Sequence, residues 1–224
     1  MPPPYGSDTG SSLPVAVVLH GRGGDHTSAF DDGYLGLDRF LAQAVGAGSA
    51  PYAMASVDGG ETYWHRRADG EDAGAMVVDE LLPLLAEHGL DVGRLAFLGW
   101  SMGGYGALRL ARLLGRDRVT ATTAMSPALW HGFAETAPGA FDDAADFAGV
   151  TVFGRQQQLD GVRVRVDCGE GDPFYAADRD YVEGFRARPA GGFQRGGHDA
   201  GYWRRVAPHH VRFIAAAFAA DRRS

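Results

Sequence analysis

The sequence predicts a single α/β domain, a mostly parallel sheet with helices on both faces. The chain has 224 residues, of which 45% are hydrophobic and 22% charged, the size and balance of one compact domain with a sizeable core. From Pro14 onward, short apolar runs alternate with longer amphipathic ones, the βαβα order of a parallel sheet covered by helices. A glycine-rich turn, Gly99-Trp100-Ser101-Met102-Gly103-Gly104, joins one such apolar run to a helical one.

Strands are expected over residues 15–20, 52–57, 94–99, 119–125 and 162–168, each β-rich or apolar and each ending at Gly, Ser, Asp or Pro. A weaker sixth covers residues 192–194. Helices fit residues 34–44, 73–87, 103–114 and 179–187, with a last one over 208–219 in which Pro208 occupies the first turn, where its missing N–H costs nothing. Met76, Val77, Glu80, Leu81, Leu84 and Leu85 form the stripe of the second helix. Residues 1–14 read as a flexible lead and 15–224 as the domain. Residues 127–161, rich in Gly, Pro and Asp, read as a surface excursion near the cleft.

Composition excludes some functions. A net charge of -7 argues against nucleic acid, whose binders displace counterions with clustered positive charge. All 21 basic residues are Arg, a codon-bias signature without functional weight. The single cysteine, Cys168, cannot form an internal disulfide. The N-terminus lacks a basic segment followed by an apolar one, and no apolar run approaches the roughly 18 residues that suggest a membrane span. The expectation is a soluble chain, cytoplasmic as it stands. The Pro-, Gly- and Ser-rich opening also suits a mature secreted domain. The sequence is silent on oligomeric state.

The Gly99–Gly104 segment carries the chemistry. G-x-S-x-G between a strand and a helix is the pattern of a sharp turn that exposes a serine hydroxyl above a sheet, with small residues on either side so that the backbones can pass. Ser101 is therefore the candidate nucleophile. A hydroxyl needs a base, and in this chain order the base follows the serine. His198, in Gly196-Gly197-His198-Asp199 after the last strand, is the candidate; His88, His131, His209 and His210 lie at helical or excursion positions. The acid belongs on a loop between these two, after a strand. Asp172 is favoured, presented by Gly169 and Gly171, with Glu170 next; Asp167 is expected within the strand, its side chain capping a turn. Cys168 reads as a small buried filler.

An oxyanion needs two N–H donors, each worth about 3 kcal/mol. Met102 supplies one, and the loop His20-Gly21-Arg22-Gly23-Gly24 the other, through Arg22; His20 fastens that turn. Trp64, Trp100, Trp130 and Trp203 fall at strand ends and are candidates for lining a substrate pocket, with core filling the alternative for each. Arg66 and Arg67 read as solvated loop charges. No His and carboxylate cluster has metal-ligand spacing, so neither metal nor cofactor is expected.

With these residues in hand, the chain resembles the Putative esterase branch of the α/β-hydrolases, the group that includes S-formylglutathione hydrolases and mycobacterial mycolyltransferases. The resemblance spans Val15 to Phe218. It rests on Leu19-His20-Gly21, Val57-Asp58-Gly59-Gly60, Gly99 to Leu108, Cys168-Gly169-Glu170-Gly171-Asp172, and Gly197-His198-Asp199 with Tyr202-Trp203. It implies a cofactor-free esterase or acyltransferase with the Arg22 and Met102 amides in the oxyanion hole. Members usually carry one or two strands before the oxyanion strand; only 14 residues precede Val15, so either the sheet lacks those first strands or the N-terminus has been trimmed.

The expected activity is hydrolysis of a small-molecule carboxylic ester through an acyl-enzyme. The same triad could pass the acyl group to a sugar or alcohol, or cleave peptides or thioesters. A non-catalytic binding protein on this fold is the remaining alternative, disfavoured by a complete Ser, His and acid set.

Overall fold

A computed structural model describes residues 12–221. Its centre is one six-stranded sheet of order β2-β1-β3-β4-β5-β6, parallel throughout. In chain order the elements are β1 (Pro14–Leu19), α1 (Leu37–Gly46), β2 (Ala53–Ser56), α2 (Ala73–Met76), α3 (Leu82–Glu87), β3 (Asp91–Trp100), α4 (Met102–Leu114), β4 (Val119–Met125), α5 (Ala144–Val150), β5 (Arg163–Gly169), α6 (Tyr175–Glu183), β6 (Ala190–Gln194) and α7 (Ala200–Asp221). The lead predicted for residues 1–14 lies almost wholly outside the described residues; Pro14 itself already belongs to β1.

A strand buried on both faces reads as continuous apolar sequence, and β1 and β3 do. Alternation sorts their side chains between two cores. Val15, Val17, Leu95 and Phe97 join residues of α2, α4 and α6 on one face, while Ala16, Val18, Ala96 and Leu98 meet α1 and α7 on the other. Each fully buried Val or Leu contributes about 1.5–3 kcal/mol. The parallel arrangement brings every strand's carboxyl end to one edge, where the chain turns into helices or loops, and the candidate site residues collect there.

Three helices depart from the sequence reading. The stretch 73–87 is helical, but a π-helical turn (Val77–Leu81) separates α2 from α3. Pro83 has no N–H to return to the carbonyl of residue 79, and the widened turn just before it lets the ladder continue. The extra residue rotates the stripe: Leu82 is buried, whereas Leu84, expected inside, is exposed. α6 begins at Tyr175 rather than residue 179, because Asp172 starts it. Its side chain accepts from the Phe174 N–H at 2.9 Å and its carbonyl from the Tyr175 N–H at 3.1 Å.

α7 begins eight residues before Pro208, which therefore lies inside the helix and not in its first turn. Asp199 sets the start, its carboxylate accepting from the Tyr202 N–H at 2.9 Å. Burial of Tyr202, Trp203, Val206 and Ala207 then holds the first two turns despite the proline. Asp167 lies in β5, but its side chain caps no turn. It is buried between Arg165 Nε at 2.6 Å and His210 Nε2 of α7 at 3.0 Å. Burial alone would raise that carboxyl; the His210 hydrogen bond and charge, with Arg165, outweigh it and hold it below the usual carboxylate range.

The 127–161 segment is a partly structured arm rather than a purely irregular excursion. It holds two short 3-10 turns (Phe133–Glu135 and Gln156–Leu159) and α5, whose Phe147 is buried in the core. Arg67 ties the arm down: its Nη2 meets Asp142 Oδ1 at 2.8 Å, and its Nη1 donates to the Gly139 and Ala140 carbonyls. It is not the solvated charge the sequence suggested. Among the described residues no helix is long and apolar enough to cross a membrane.

Replacing Asp199 by Ala removes the cap of α7. The expected loss is about 1 kcal/mol, which thermal unfolding should read as a Tm lower by roughly 3 °C.

Candidate active site

Ser101 occupies the single residue between β3 and α4, with φ 54° and ψ -123°. A side-chain-bearing residue held in that region costs about 1–3 kcal/mol and persists only where its neighbours enforce it. Here they do so by close backbone approach. A Cβ on Gly103 would stand 1.9 Å from the Leu19 carbonyl oxygen, and one on Gly99 would stand 2.1 Å from that of Gly103. The Ser101 N–H donates to Met125 at 3.0 Å, and its carbonyl accepts from Ala128 at 2.9 Å and Tyr105 at 3.1 Å. The glycines of G-x-S-x-G are thus demanded by contacts with β1 and with the elbow itself.

The turn after β1 runs alongside this elbow. Gly24 donates to the Gly21 carbonyl at 3.0 Å, and Gly23, at φ 74°, supplies the left-handed third position of a type II turn. A Cβ on Gly21 would lie 3.3 Å from Ser101 Cβ and 2.7 Å from Trp100 Nε1. His20 is buried and fastens the turn: its Nδ1–H donates to the Gly21 carbonyl at 2.8 Å, and its Nε2 accepts the Gly59 N–H at 2.9 Å. Arg22 follows, its side chain turned to Glu61 Oε2 at 3.0 Å. Met102 is the first residue of α4, so its N–H has no intrahelical acceptor.

The structure brings Ser101, His198 and Asp172 into one line although they lie far apart in sequence. Ser101 Oγ is 2.9 Å from His198 Nε2, and His198 Nδ1 is 2.9 Å from Asp172 Oδ2. The carboxylate can only accept, so Nδ1 carries the proton and Nε2 offers its lone pair to the serine hydroxyl. The Asp172 side chain is fully buried, whereas the His198 side chain is 23% exposed. Glu170, the other acid considered, is exposed, and its backbone N–H joins the Gln194 carbonyl at 2.9 Å. Glycine again lets the loops meet, since a Cβ on Gly169 would stand 2.4 Å from the Gly196 carbonyl oxygen.

Aromatic rings frame the imidazole. Trp203 meets it edge-on at 5.0 Å and Phe174 at 5.1 Å, and Trp130 packs on Phe174 at 5.3 Å. Trp130 is 8% and Trp203 5% exposed, so both reach the edge of the site. Trp64 and Trp100 do not line a pocket. Trp64 is fully buried, wedged where side chains on Gly59 and Gly106 would come within 2.4 Å and 2.5 Å of its ring; Trp100 is buried against Tyr34 and Trp203. Both fill the core because glycines opposite them leave ring-sized gaps.

Several contributors escaped sequence reading. Phe174 could have been suspected as the aromatic residue just beyond the acid. The positive φ of Tyr63 and Trp64 (53° and 57°) and the His65–Asp146 pair, 3.1 Å apart, have no sequence signal. His65 is pushed below its ordinary range by burial, partly offset by Asp146. Cys168 is buried in β5, and burial, the largest effect, pushes its thiol up, so it remains a thiol. Among the described residues, no group of three or more His, Cys, Asp and Glu side chains is arranged to hold a metal ion.

A parallel sheet of this order, with a serine at a strand-to-helix elbow facing a histidine beyond the last strand, defines an α/β-hydrolase. Solved structures share the fold. A ferulic acid esterase has 22% identity and a TM-score of 0.78 over 93% of this chain and 87% of that one. FphF of Staphylococcus aureus, a fluorophosphonate-binding serine hydrolase, has 19% identity and a TM-score of 0.71 over 94% and 87%. Mycobacterium tuberculosis MPT51 has 19% identity and a TM-score of 0.60 over 93% and 91%. No curated protein matches in sequence. The chain belongs to the Putative esterase family, whose pattern matches residues 1–206.

Gly103→Ala sets a methyl group against the backbone of β1, where no side-chain rotation can relieve it. The expected outcome is loss of soluble folded protein, checked by expression yield and far-UV circular dichroism.

Proposed function

We propose that the chain hydrolyses small-molecule carboxylic esters through an acyl-enzyme, with Ser101 as nucleophile, His198 as general base and then acid, and Asp172 as the acid that orients the imidazole. The observation that carries this reading is the unbroken line from Ser101 Oγ through His198 to Asp172, with both links at 2.9 Å. Ser101 Oγ attacks the ester carbonyl carbon while Nε2 takes the hydroxyl proton. The imidazolium that forms is stabilised by the buried Asp172 carboxylate.

The carbonyl oxygen becomes an oxyanion facing the N–H groups of Met102 and Arg22. Their amides suit this role because Met102 opens α4, where the helix dipole favours negative charge, and the Arg22 turn abuts Ser101 through Gly21. Collapse breaks the bond to the leaving oxygen, which departs as an alcohol with the proton from Nε2. Water then attacks the acyl carbonyl, gives its proton to Nε2, and the released acid leaves Ser101 with its proton restored. Trp130, beside Phe174 and the imidazole, offers an apolar wall to the substrate. Trp203 serves chiefly to hold the His198 ring edge-on.

Steady-state hydrolysis of p-nitrophenyl acetate, butyrate and octanoate tests the assignment. Ser101→Ala is expected to lower kcat by up to about 10⁶-fold, and Asp172→Asn by about 10⁴-fold, because the wrong imidazole tautomer is then favoured. Labelling by a fluorophosphonate should vanish with Ser101→Ala. Equal rates for wild type and Ser101→Ala would remove Ser101 from the mechanism.

A further inference from the structure

Six residues beyond Asp172, α6 buries a second carboxyl that the proposed mechanism does not use. Asp178 is fully enclosed, and neither of its oxygens has a hydrogen-bond partner. No ion pair reaches it among the described residues. Its polar surroundings are the Cys168 thiol at the end of β5 and the charge of Asp172; the Tyr181 hydroxyl feels its field from the same helix. Beyond Cys168 lie the buried, unpartnered Ser126 hydroxyl at the end of β4 and Tyr202 of α7. None of these is a cation. A carboxylate without one, sealed from water, is strongly disfavoured, and such a group takes up a proton instead.

The backbone joins Asp178 to the triad residues. Its N–H donates to the Phe174 carbonyl at 2.8 Å, the Phe174 N–H donates to Asp172 Oδ1 at 2.9 Å, and the Phe174 ring packs against His198. The first turn of α6 therefore touches both the acid and the base, and Asp178 is the polar side chain of that turn that faces Cys168 at the end of β5.

We propose that Asp178 is a positioning residue that stays a neutral carboxylic acid in the folded protein: it seats the first turn of α6, and with it Phe174, against the end of β5 without adding a second buried charge near Asp172. This rests on the Ser101–His198–Asp172 reading above. Burial first, and the Asp172 charge second, push the Asp178 carboxyl well above the usual carboxylate range; the Cys168 thiol opposes this only in part.

The neutral form has a thermodynamic signature. In the unfolded chain an aspartate releases its proton near pH 3.9. Below that pH both states hold the proton, and the group is neutral toward stability. As pH rises above it, the unfolded state ionises while the folded state keeps its proton, so Asp178 lowers stability progressively until pH reaches its folded value. Asn has the same shape and no proton to hold.

The test is thermal unfolding of wild type and Asp178→Asn from pH 4 to pH 8, with p-nitrophenyl butyrate kinetics of Asp178→Asn and Asp178→Ala. Asp178→Asn is expected to melt roughly 5 °C higher than wild type at pH 8, with the gain shrinking toward zero at pH 4. Asp178→Ala, assayed well below its own Tm, is expected to lose at least tenfold in kcat at nearly unchanged KM, and Asp178→Asn to restore it. A lower Tm for Asp178→Asn at pH 8, or a pH-independent difference, would overturn the neutral acid. Full kcat in folded Asp178→Ala would overturn the positioning role. Should Asp178→Ala not fold, failure of Asp178→Asn to keep wild-type kcat overturns that role. The unfolding arm needs no catalysis, so it stands apart from the triad, whose failure Ser101→Ala reports.

Discussion

Everything at this site depends on the backbone of Ser101. A residue at φ 54° and ψ -123° between a buried strand and a helix is a local conformation the chain would leave if it could. It cannot, because β3 and α4 are pressed together at Gly99 and Gly103 and against the Leu19 carbonyl of β1. The strain is held by two apolar cores, one on each sheet face. In return the hydroxyl stands clear of its own backbone, and the Met102 N–H at the start of α4 is left free of intrahelical bonding. The same contacts bring the Gly21 turn beside the serine, so a single packing constraint arranges both Ser101 and the loop whose amides lie next to it.

The other half of the site is organised by α6 and α7 rather than by the sheet. Asp172 makes the turn that leads into α6, its carboxylate accepting from the Phe174 N–H, and Asp199, next to His198, caps the start of α7. Each carboxylate satisfies a backbone N–H that would otherwise lack a partner, so the residues that lead into the two helices are also Asp172 and the neighbour of His198. Phe174 from one helix and Trp203 from the other then close on the imidazole from two sides, leaving the ring few orientations. Burial of polar groups follows a consistent logic here. Asp172 and Asp167 are each paired with a histidine, whereas no cation faces Asp178 among the described residues, and burial pushes its carboxyl up.

Much of this was legible in the sequence, for identifiable reasons. Five strands were readable to within three residues because parallel strands buried on both sides are runs of Val, Leu, Ala and Phe punctuated by turn residues. The elbow at Ser101 was legible because it imposes glycine at fixed offsets, whereas the loop after β5 offered two acids, Glu170 and Asp172, that local pattern could not separate. Helix starts were less readable. A cap on Asp172 or Asp199 competes with local propensity, and Pro208, which should mark a first turn, is overridden by buried aromatic residues upstream.

What the sequence by itself determined is the order of strands and helices and the strand-to-helix turn at Ser101, since these follow from local periodicity and backbone sterics. What only the tertiary structure decided is which groups meet: that Asp172 rather than Glu170 faces His198, that Trp64 and Trp100 fill core while Trp130 and Trp203 reach the site, that Arg67 fastens the arm, and that Asp178 is sealed without a cation. Burial and pairing are properties of contacts between residues distant in the chain, and a sequence pattern records only the residues near one another along it.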